Sequence, residues 1–217
     1  MKIGILGTGM VGQNLAKAFA QTGHEVVIGT RDPTNQKIKE NIQNLGSNIT
    51  LGTFEEAASF AELAVFAINW AGVEHAVQLA NPENLAGKVV IDTTNPLDFS
   101  TGKLKLATKG EDSAGETVQR LLASSKVVKA FNIIGAADMF KPQFVDGPPT
   151  MFISGNDEVA KGEVSKLINS FGWPEIIDLG TIENARYLES LLMVRMVHAM
   201  NHNSWVAPAF KFISQVA

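Results

Sequence analysis

Short apolar runs alternate with amphipathic helical segments along most of the chain. The runs predict strands over residues 2–6, 25–28, 48–51, 63–68, 88–92 and 126–131. The segments between them predict helices over 11–21, 37–45, 54–61, 73–80 and 116–123. Such consecutive strand-and-helix steps are typical of a parallel sheet that is covered by helices on both faces. We therefore expect an α/β fold built on a doubly wound, mostly parallel Rossmann sheet.

One helix start is marked by its own chemistry. Thr53 stands three residues before Glu56, so its hydroxyl group and the carboxylate can form a capping box. This spacing predicts a helix that begins at Phe54.

The pattern changes after residue 131. Lys141-Pro142 and Gly147-Pro148-Pro149 break regular structure, which predicts a domain boundary near residue 148. We expect a Rossmann domain over 1–148 and a small C-terminal α/β extension over 149–217 that packs on it. The extension is predicted to contain strands over 150–154 and 175–179, a helix over 157–171 and a long apolar final helix over about 182–201.

The final helix is apolar on nearly every side, from Leu188 through Val197 to Met200. Such a helix has no polar face for solvent and must be buried. In a chain of this length we expect a second subunit to cover it, which predicts a homodimer. Glu189 and Arg195 of the same helix either pair across the subunit boundary or are exposed at the helix end.

Composition and charge restrict the partners. The chain has 217 residues and a formal net charge of −4 without a basic run, which argues against nucleic acid and membranes and favours small molecules. It contains no cysteine, which excludes disulfides, thiolate metal sites and a cysteine nucleophile. No apolar run reaches the roughly twenty residues of a membrane span, and the N-terminus does not resemble a signal peptide. We expect a cytoplasmic protein.

The strongest chemical signal is a glycine-rich turn between the first strand and the first helix. It has the sequence Gly7-Thr8-Gly9-Met10-Val11-Gly12. Gly7 is expected to make the tight turn, Gly9 to let the backbone approach a pyrophosphate, and Gly12 to let helix and strand pack closely. The helix then offers free N–H groups and a partial positive charge to phosphates. In this context the motif predicts a dinucleotide site rather than a turn without a ligand.

The end of the second strand indicates which dinucleotide is bound. An NAD-binding chain would carry an acidic residue there for the ribose 2′-hydroxyl group. Here Gly29 leaves room for a phosphate, Thr30 can donate a hydrogen bond, and Arg31 can pair with the phosphate and stack on adenine. We therefore expect NADP(H), with Lys37 either adding a second positive charge or lying on the surface. Asp32 keeps NAD as the alternative, because a small rotation of the loop could offer its carboxylate to a ribose.

Four more segments follow the pattern of a known family. They are Val27-Ile28-Gly29-Thr30-Arg31, Ala67-Ile68-Asn69-Trp70, Thr94-Asn95-Pro96-Leu97 and Lys129-Ala130-Phe131-Asn132-Ile133-Ile134. Together with the glycine-rich turn, they make the chain resemble the NADP oxidoreductases that depend on the deazaflavin coenzyme F420. That family includes the oxidoreductase domains of membrane ferric reductases. The resemblance covers nearly the whole length, although the C-terminal half matches more loosely.

The resemblance implies that the loops after the fourth, fifth and sixth strands form the crevice for the nicotinamide and its electron acceptor. It places seven residues beside the transferred hydride: Ile68, Asn69, Trp70, Asn95, Pro96, Asn132 and Ile133. The location also follows from the rule that ligands of doubly wound sheets bind outside the carboxyl ends of the strands. The chain departs from the family at Asn69 and Asn132, where archetypal deazaflavin enzymes carry proline and histidine. This departure predicts an altered acceptor pocket.

The crevice loops supply asparagines and a tryptophan but no obvious acid. A carbonyl or imine substrate usually needs a positioned proton donor, whereas a flavin-like ring delocalises the incoming charge. This favours hydride transfer to a deazaflavin or flavin. The alternatives are an NADPH-dependent reductase of a small imine or carbonyl metabolite and a non-catalytic dinucleotide sensor. We assign no catalytic residue, and the candidates for the hydride site are Asn69, Trp70, Asn95 and Asn132.

Several residues have structural interpretations beside functional ones. Trp70 could stack near the nicotinamide or fill the crevice wall. Lys129 lies inside a predicted strand and is interpreted as structural, and His75 is expected at the surface or behind the residues that contact the ligand. His198 and His202 are four residues apart on the final helix, but no third ligand is identifiable, so we predict no metal site.

Overall fold

The computed structural model describes residues 1–108, 110–202 and 208–213. Its strands are β1 (Lys2–Leu6), β2 (Glu25–Thr30), β3 (Ile49–Thr53), β4 (Leu63–Phe66), β5 (Val89–Asp92), β6 (Leu97–Asp98), β7 (Lys105–Leu106), β8 (Lys126–Lys129), β9 (Thr150–Gly155) and β10 (Glu175–Asp178). Its α-helices are α1 (Met10–Gln21), α2 (Gln36–Gln43), α3 (Phe54–Phe60), α4 (Val73–Ala80), α5 (Ala114–Leu121), α6 (Glu158–Ser170) and α7 (Ala185–Asn201).

Eight strands form one sheet in the order β10-β9-β8-β5-β4-β1-β2-β3. All neighbouring pairs in this sheet are parallel except β8 and β9, which run antiparallel. The chain starts at β1 and builds towards β3, then returns to the other side of β1 with β4. The strand order therefore reverses between β1 and β4, which is where doubly wound sheets bind their ligands. The predicted doubly wound Rossmann fold is confirmed.

The predicted elements are present, with shifts at their ends. The capping box forms as expected, since Thr53 Oγ1 accepts from the Glu56 amide at 3.1 Å and Glu56 Oε2 accepts from the Thr53 amide at 2.7 Å. Strands four and six were predicted too long, because β4 ends at Phe66 and β8 at Lys129. Beyond β8 the backbone turns sharply, and Phe131 has a φ of 62°. The short hairpin of β6 and β7 was not predicted.

Apolar side chains pack on both faces of the sheet. One buried cluster joins Phe19 of α1 and Ile28 of β2 to Ile168 of α6 and Trp173. A second cluster on the other face joins side chains from α3, α4 and α5 to Ile182 and the start of α7. Residues on both sides of position 148 thus share one sheet and one core, and the domain boundary near 148 stays a prediction.

Helix α7 is only partly covered by its own chain. Leu188 and Leu192 are buried, whereas Val194, Val197 and Met200 are 58%, 48% and 51% exposed. Both expectations for Glu189 were wrong, because it is 1% exposed and pairs with Lys129 of the same chain at 3.0 Å.

No helix in the described part of the chain is long and apolar enough to span a membrane.

Candidate functional site

The glycine-rich turn has the geometry of an anion cradle. Gly7 has a φ of +126°, and a Cβ there would lie 2.2 Å from the carbonyl oxygen of Ala67. A Cβ on Gly12 would lie 2.2 Å from the carbonyl oxygen of Gly7, so Gly12 permits the close approach of α1 to the turn. Gly9 differs from both, because a Cβ there would meet nothing within 4 Å. The space in front of Gly9 is therefore open to a ligand.

The start of α1 has unsatisfied donors beside this open space. Gly9 is the N-cap residue, and it provides no side-chain hydrogen bond to the helix. The first turn contains no acidic residue. Because the first N–H groups of a helix lack partners within the helix and carry partial positive charge, this terminus can bind an anion.

The end of β2 adds a cation and hydroxyl groups. Arg31 is exposed, and Thr30 is 7% exposed. Asp32 accepts hydrogen bonds from the Thr34 hydroxyl at 2.5 Å and the Thr34 amide at 2.9 Å. These bonds, of which the side-chain bond contributes most, lower the pKa of Asp32 below its ordinary value. Asp32 Oδ1 is thus engaged in its own loop, whereas neither of these bonds uses Oδ2.

Gly29 has a packing role in addition to the role expected from the sequence. A Cβ on Gly29 would lie 3.0 Å from side-chain atoms of Phe54 and Ala57 in α3. The absence of a side chain therefore lets α3 pack on the sheet. Gly29 also lines the cavity described below, next to Thr30 and Arg31, and the expectation that it leaves room for a phosphate stays a prediction.

A cavity of about 450 Å³ joins the glycine-rich turn to the end of β2. Seven of its lining residues were predicted from the sequence as cofactor contacts: Gly7, Thr8, Gly9, Thr30, Arg31, Ile68 and Asn69. Ile38, Phe54 and His75 also line it and were missed as contacts. His75 follows the segment that carried the family resemblance, so its place in the sequence was the signal that could have found it. Ile38 and Phe54 lie on helices whose orientation the sequence does not state.

A second group of candidates lies where β5 and β8 end. Asn95 Nδ2 donates to the main-chain oxygen of Asn132 at 3.0 Å, and Asn132 Nδ2 donates to Asn95 Oδ1 at 3.1 Å. Asn132 is 3% exposed, and its Oδ1 has no hydrogen-bond partner. It directly follows Phe131, whose left-handed backbone is unusual for a bulky residue. The two loops are therefore joined by a reciprocal amide pair.

The remaining predicted residues have separate places. Trp70 is half-buried in a short 3₁₀ turn and packs on the core that contains Ile182. Ile133 is 3% exposed and packs with Phe152 and Leu188. Lys37 is exposed on α2 and does not line the cavity. Met10, Val11 and Pro96 also lie outside its lining.

The two histidines near the end of α7 contact each other. The His198 and His202 rings stack with their centroids 4.2 Å apart, and His202 Nδ1 contacts the main-chain oxygen of His198 at 2.9 Å. Among residues 1–108, 110–202 and 208–213, no three His, Cys, Asp or Glu side chains are grouped to hold a metal ion.

Comparison with known proteins assigns this architecture to a family. Residues 2–96 match the family described as NADP oxidoreductase, coenzyme F420-dependent. The F420-dependent NADP reductase of Methanothermobacter marburgensis is 32% identical over 203 residues, which cover 88% of this chain and 89% of the relative. The metalloreductase STEAP3 of Rattus norvegicus is 31% identical over 192 residues, but the chain spans only 36% of its length.

A solved structure supports the same family. A structure from Arthrobacter sp. FB24, provisionally described as an F420-dependent NADP reductase, is 40% identical and superposes with a TM-score of 0.93. The alignment covers 99% of this chain and 100% of that one. The chain therefore belongs to the coenzyme F420-dependent family of NADP oxidoreductases and is an NADP-dependent oxidoreductase.

Proposed function

We propose that the protein transfers a hydride between NADP(H) and a deazaflavin or flavin ring. The observation that carries this proposal is the amide pair Asn95–Asn132 at the carboxyl ends of β5 and β8, which offers polar contacts without an acid or base. Bound NADPH would supply the hydride. The chain's own residues would hold the two rings in register and exclude water, and alignment of this kind accounts for much of the rate in hydride transfer.

The cofactor would lie along the edge formed by the strand ends. The amides of Met10, Val11 and Gly12 would bind the pyrophosphate over the open space at Gly9. Thr30 and Arg31 would bind the 2′-phosphate, with Lys37 as a second nearby cation on α2. The nicotinamide would lie against the loops that carry Ile68, Asn69, Trp70, Asn95, Pro96, Asn132 and Ile133.

The charged groups in the described residues support a ring acceptor. Arg31 lines the cavity beside the glycine-rich turn, and neither Asn95 nor Asn132 is among the residues that line it. Asp92 and Lys129 lie close to the amide pair, but they are fully buried and bonded to each other at 2.9 Å. A carbonyl or imine substrate would need a proton donor at the site, whereas a deazaflavin or flavin distributes the new charge over its own ring. The F420-dependent reductase named above supports the same acceptor class.

The proposal includes a homodimer in the cytoplasm. The exposed apolar side chains Val194, Val197 and Met200 on α7 support a second copy as the partner. The sequence contains no cysteine, which is compatible with a reducing compartment.

Steady-state oxidation of NADPH tests the acceptor. The purified protein would be given F420, FMN, FAD, a small carbonyl compound and a cyclic imine in separate reactions, and the loss of nicotinamide absorbance would be followed. Rapid turnover with F420 or a flavin supports the proposal. Turnover only with the carbonyl or imine would refute it, and binding of NADPH without any turnover would favour a dinucleotide sensor.

Fluorescence titration with NADPH and NADH tests the cofactor. Arg31→Ala should weaken NADPH binding by about 1.5–3 kcal/mol, because a charge-assisted hydrogen bond to the phosphate is lost, and should leave NADH binding almost unchanged. Lys17→Ala is the matched control, since it removes one positive charge from an exposed position on α1 outside the cavity. Equal losses for both cofactors in Arg31→Ala would contradict the role of Arg31.

A further inference from the structure

A buried row of polar side chains lies directly behind the amide pair. The strand register places Asp92 of β5 opposite Lys129 of β8, and Lys129 opposite Ser154 of β9. Opposite residues in a sheet point to the same face, so these side chains form one row across three strands. Asp92, Lys129 and Ser154 are all 0% exposed. The row lies on the face of the sheet that α7 covers.

The Lys129 ammonium group is the centre of this row. Its Nζ donates to Asp92 Oδ2 at 2.9 Å and to the main-chain oxygen of Thr94 at 2.6 Å. It also lies 3.0 Å from Glu189 Oε1 of α7. Burial by itself lowers the pKa of Lys129, but the carboxylates of Asp92 and Glu189 raise it above its ordinary value. Lys129 is therefore a fully buried cation at neutral pH.

Glu189 connects the row to two helices. It belongs to α7, and its carboxylate accepts from the amides of Ala114 and Gly115 at 3.1 Å each. Those amides open α5, so Glu189 also caps that helix. A Cβ on Gly115 would lie 2.6 Å from the Ala185 side chain, which shows how closely α5 and α7 approach each other. The position of α7 thus determines where the Glu189 carboxylate meets Lys129.

Stability alone does not explain such a group. Apolar side chains of similar volume can often replace a buried ion network with no loss of stability, because the desolvation of the charges offsets their attraction. The contacts to Thr94 are what apolar side chains could not reproduce. Asp92 Oδ1 accepts from the Thr94 amide at 2.9 Å, and Lys129 binds the Thr94 carbonyl group. Both peptide groups of Thr94 are therefore fixed, and Asn95 of the amide pair is the next residue.

We propose that Lys129 is a positioning residue for hydride transfer: it fixes the Thr94 carbonyl group and hence Asn95, and Glu189 makes this alignment depend on the seating of α7. This inference rests on the proposed function for the identity of the crevice. It gives the C-terminal helix a part in aligning the nicotinamide end of the site. Neither Lys129 nor Asn95 lines the cavity beside the glycine-rich turn, so the affinity for NADPH should depend little on Lys129.

The test uses a variant that lacks the charges without leaving one of them unpaired. Asp92→Asn, Lys129→Met and Glu189→Gln combined give a neutral row, which should fold because no buried charge remains uncompensated. We expect a kcat at least tenfold lower, since a misplacement of about 1 Å can cost roughly a hundredfold in rate. The Kd for NADPH should stay within threefold of that of the parent. In the cofactor-free protein, amide hydrogen exchange at Thr94, Asn95 and Leu97 should become faster.

A folded triple variant with the parent's kcat and the parent's slow exchange overturns the proposal. If the triple variant does not fold, Glu189→Gln decides, because Lys129 and Asp92 remain paired in it. A folded Glu189→Gln protein with reduced kcat, unchanged NADPH affinity and faster exchange at Thr94, Asn95 and Leu97 supports positioning. Parent-like values, or failure of this variant to fold as well, assign the row a structural role only and overturn it. Absence of turnover by the parent with every acceptor would refute the proposed function instead, and hydrogen exchange would still test the fixing of the loop.

Discussion

Alanine substitutions at Gly9 and Gly12 separate the stability of the turn from its binding role. On Gly12, the added Cβ would lie 2.2 Å from a backbone oxygen, more than an ångström inside ordinary contact. Neither the turn nor the helix can move without disturbing the buried core, and overpacking of this kind costs about 1–3 kcal/mol. For a chain of this size, that loss lowers Tm by about 2–12 °C.

On Gly9, the same methyl group meets nothing within 4 Å. Gly9 has φ of −72° and ψ of 178°, which alanine adopts without strain. Gly9→Ala should therefore keep or slightly raise the free energy of unfolding, by about 0.4–1 kcal/mol through the unfolded state. The methyl group would nevertheless occupy the space assigned to the pyrophosphate. We expect at least a tenfold weaker NADPH affinity, or about 1.4 kcal/mol.

Thermal unfolding and NADPH fluorescence titration on the same preparations measure both effects. The reasoning requires Gly12→Ala to lose Tm and Gly9→Ala to lose affinity at parental Tm. A Gly9→Ala protein that binds NADPH as tightly as the parent would refute the placement of the pyrophosphate, even if Gly12→Ala behaves as expected.

Three further predictions address the helix cap, the proposed dimer and one carboxylate. Thr53→Ala removes the cap of α3 and should lower the free energy of unfolding by about 1 kcal/mol in urea titrations, while an unchanged midpoint would contradict the capping box. Val197→Glu should convert the proposed dimer to a monomer in sedimentation experiments. Val159→Glu is the control and should not do so, because Val159 lies on α6 and is already 75% exposed. A parent protein that sediments as a monomer would contradict the proposed dimer. Hydrogen bonds from Ser100 and then Lys105 lower the pKa of Asp98 to about 2. Its contribution to stability is therefore present above pH 3.8 and is lost as the pH falls towards 2, and an NMR titration midpoint near 3.8 would show that these bonds do not form in solution.

Local signals in the sequence predicted most of the architecture. The alternation of apolar runs and helical segments reports which residues face the core, and it depends little on distant partners. The glycine-rich turn could be predicted equally well, because the roles of Gly7 and Gly12 follow from the tight strand-to-helix connection alone. The capping box of Thr53 and Glu56 involves residues three apart, and it formed as predicted.

The features that the sequence did not reveal depend on contacts between distant residues. Gly29 also faces Phe54 and Ala57 of α3, and nothing near Gly29 in the sequence indicates that contact. His75 reaches the cavity because α4 crosses beside the glycine-rich turn, which only the strand order of the sheet determines.

Contacts between distant residues also explain why the sequence placed Lys129 in a strand but did not predict its ion pairs. A lysine that ends a buried strand must find carboxylates or lose its charge, because an unpaired buried ammonium group costs several kcal/mol. Its partners are 37 and 60 residues away in the chain, and they meet only when β5 and β8 pair in register and α7 docks. In a parallel sheet, the strand ends that bury such pairs are also the places where the chain leaves for the ligand crevice. A charged residue at the last position of a buried strand therefore lies in the core and beside the site at once, so its structural and functional roles have to be separated by experiment.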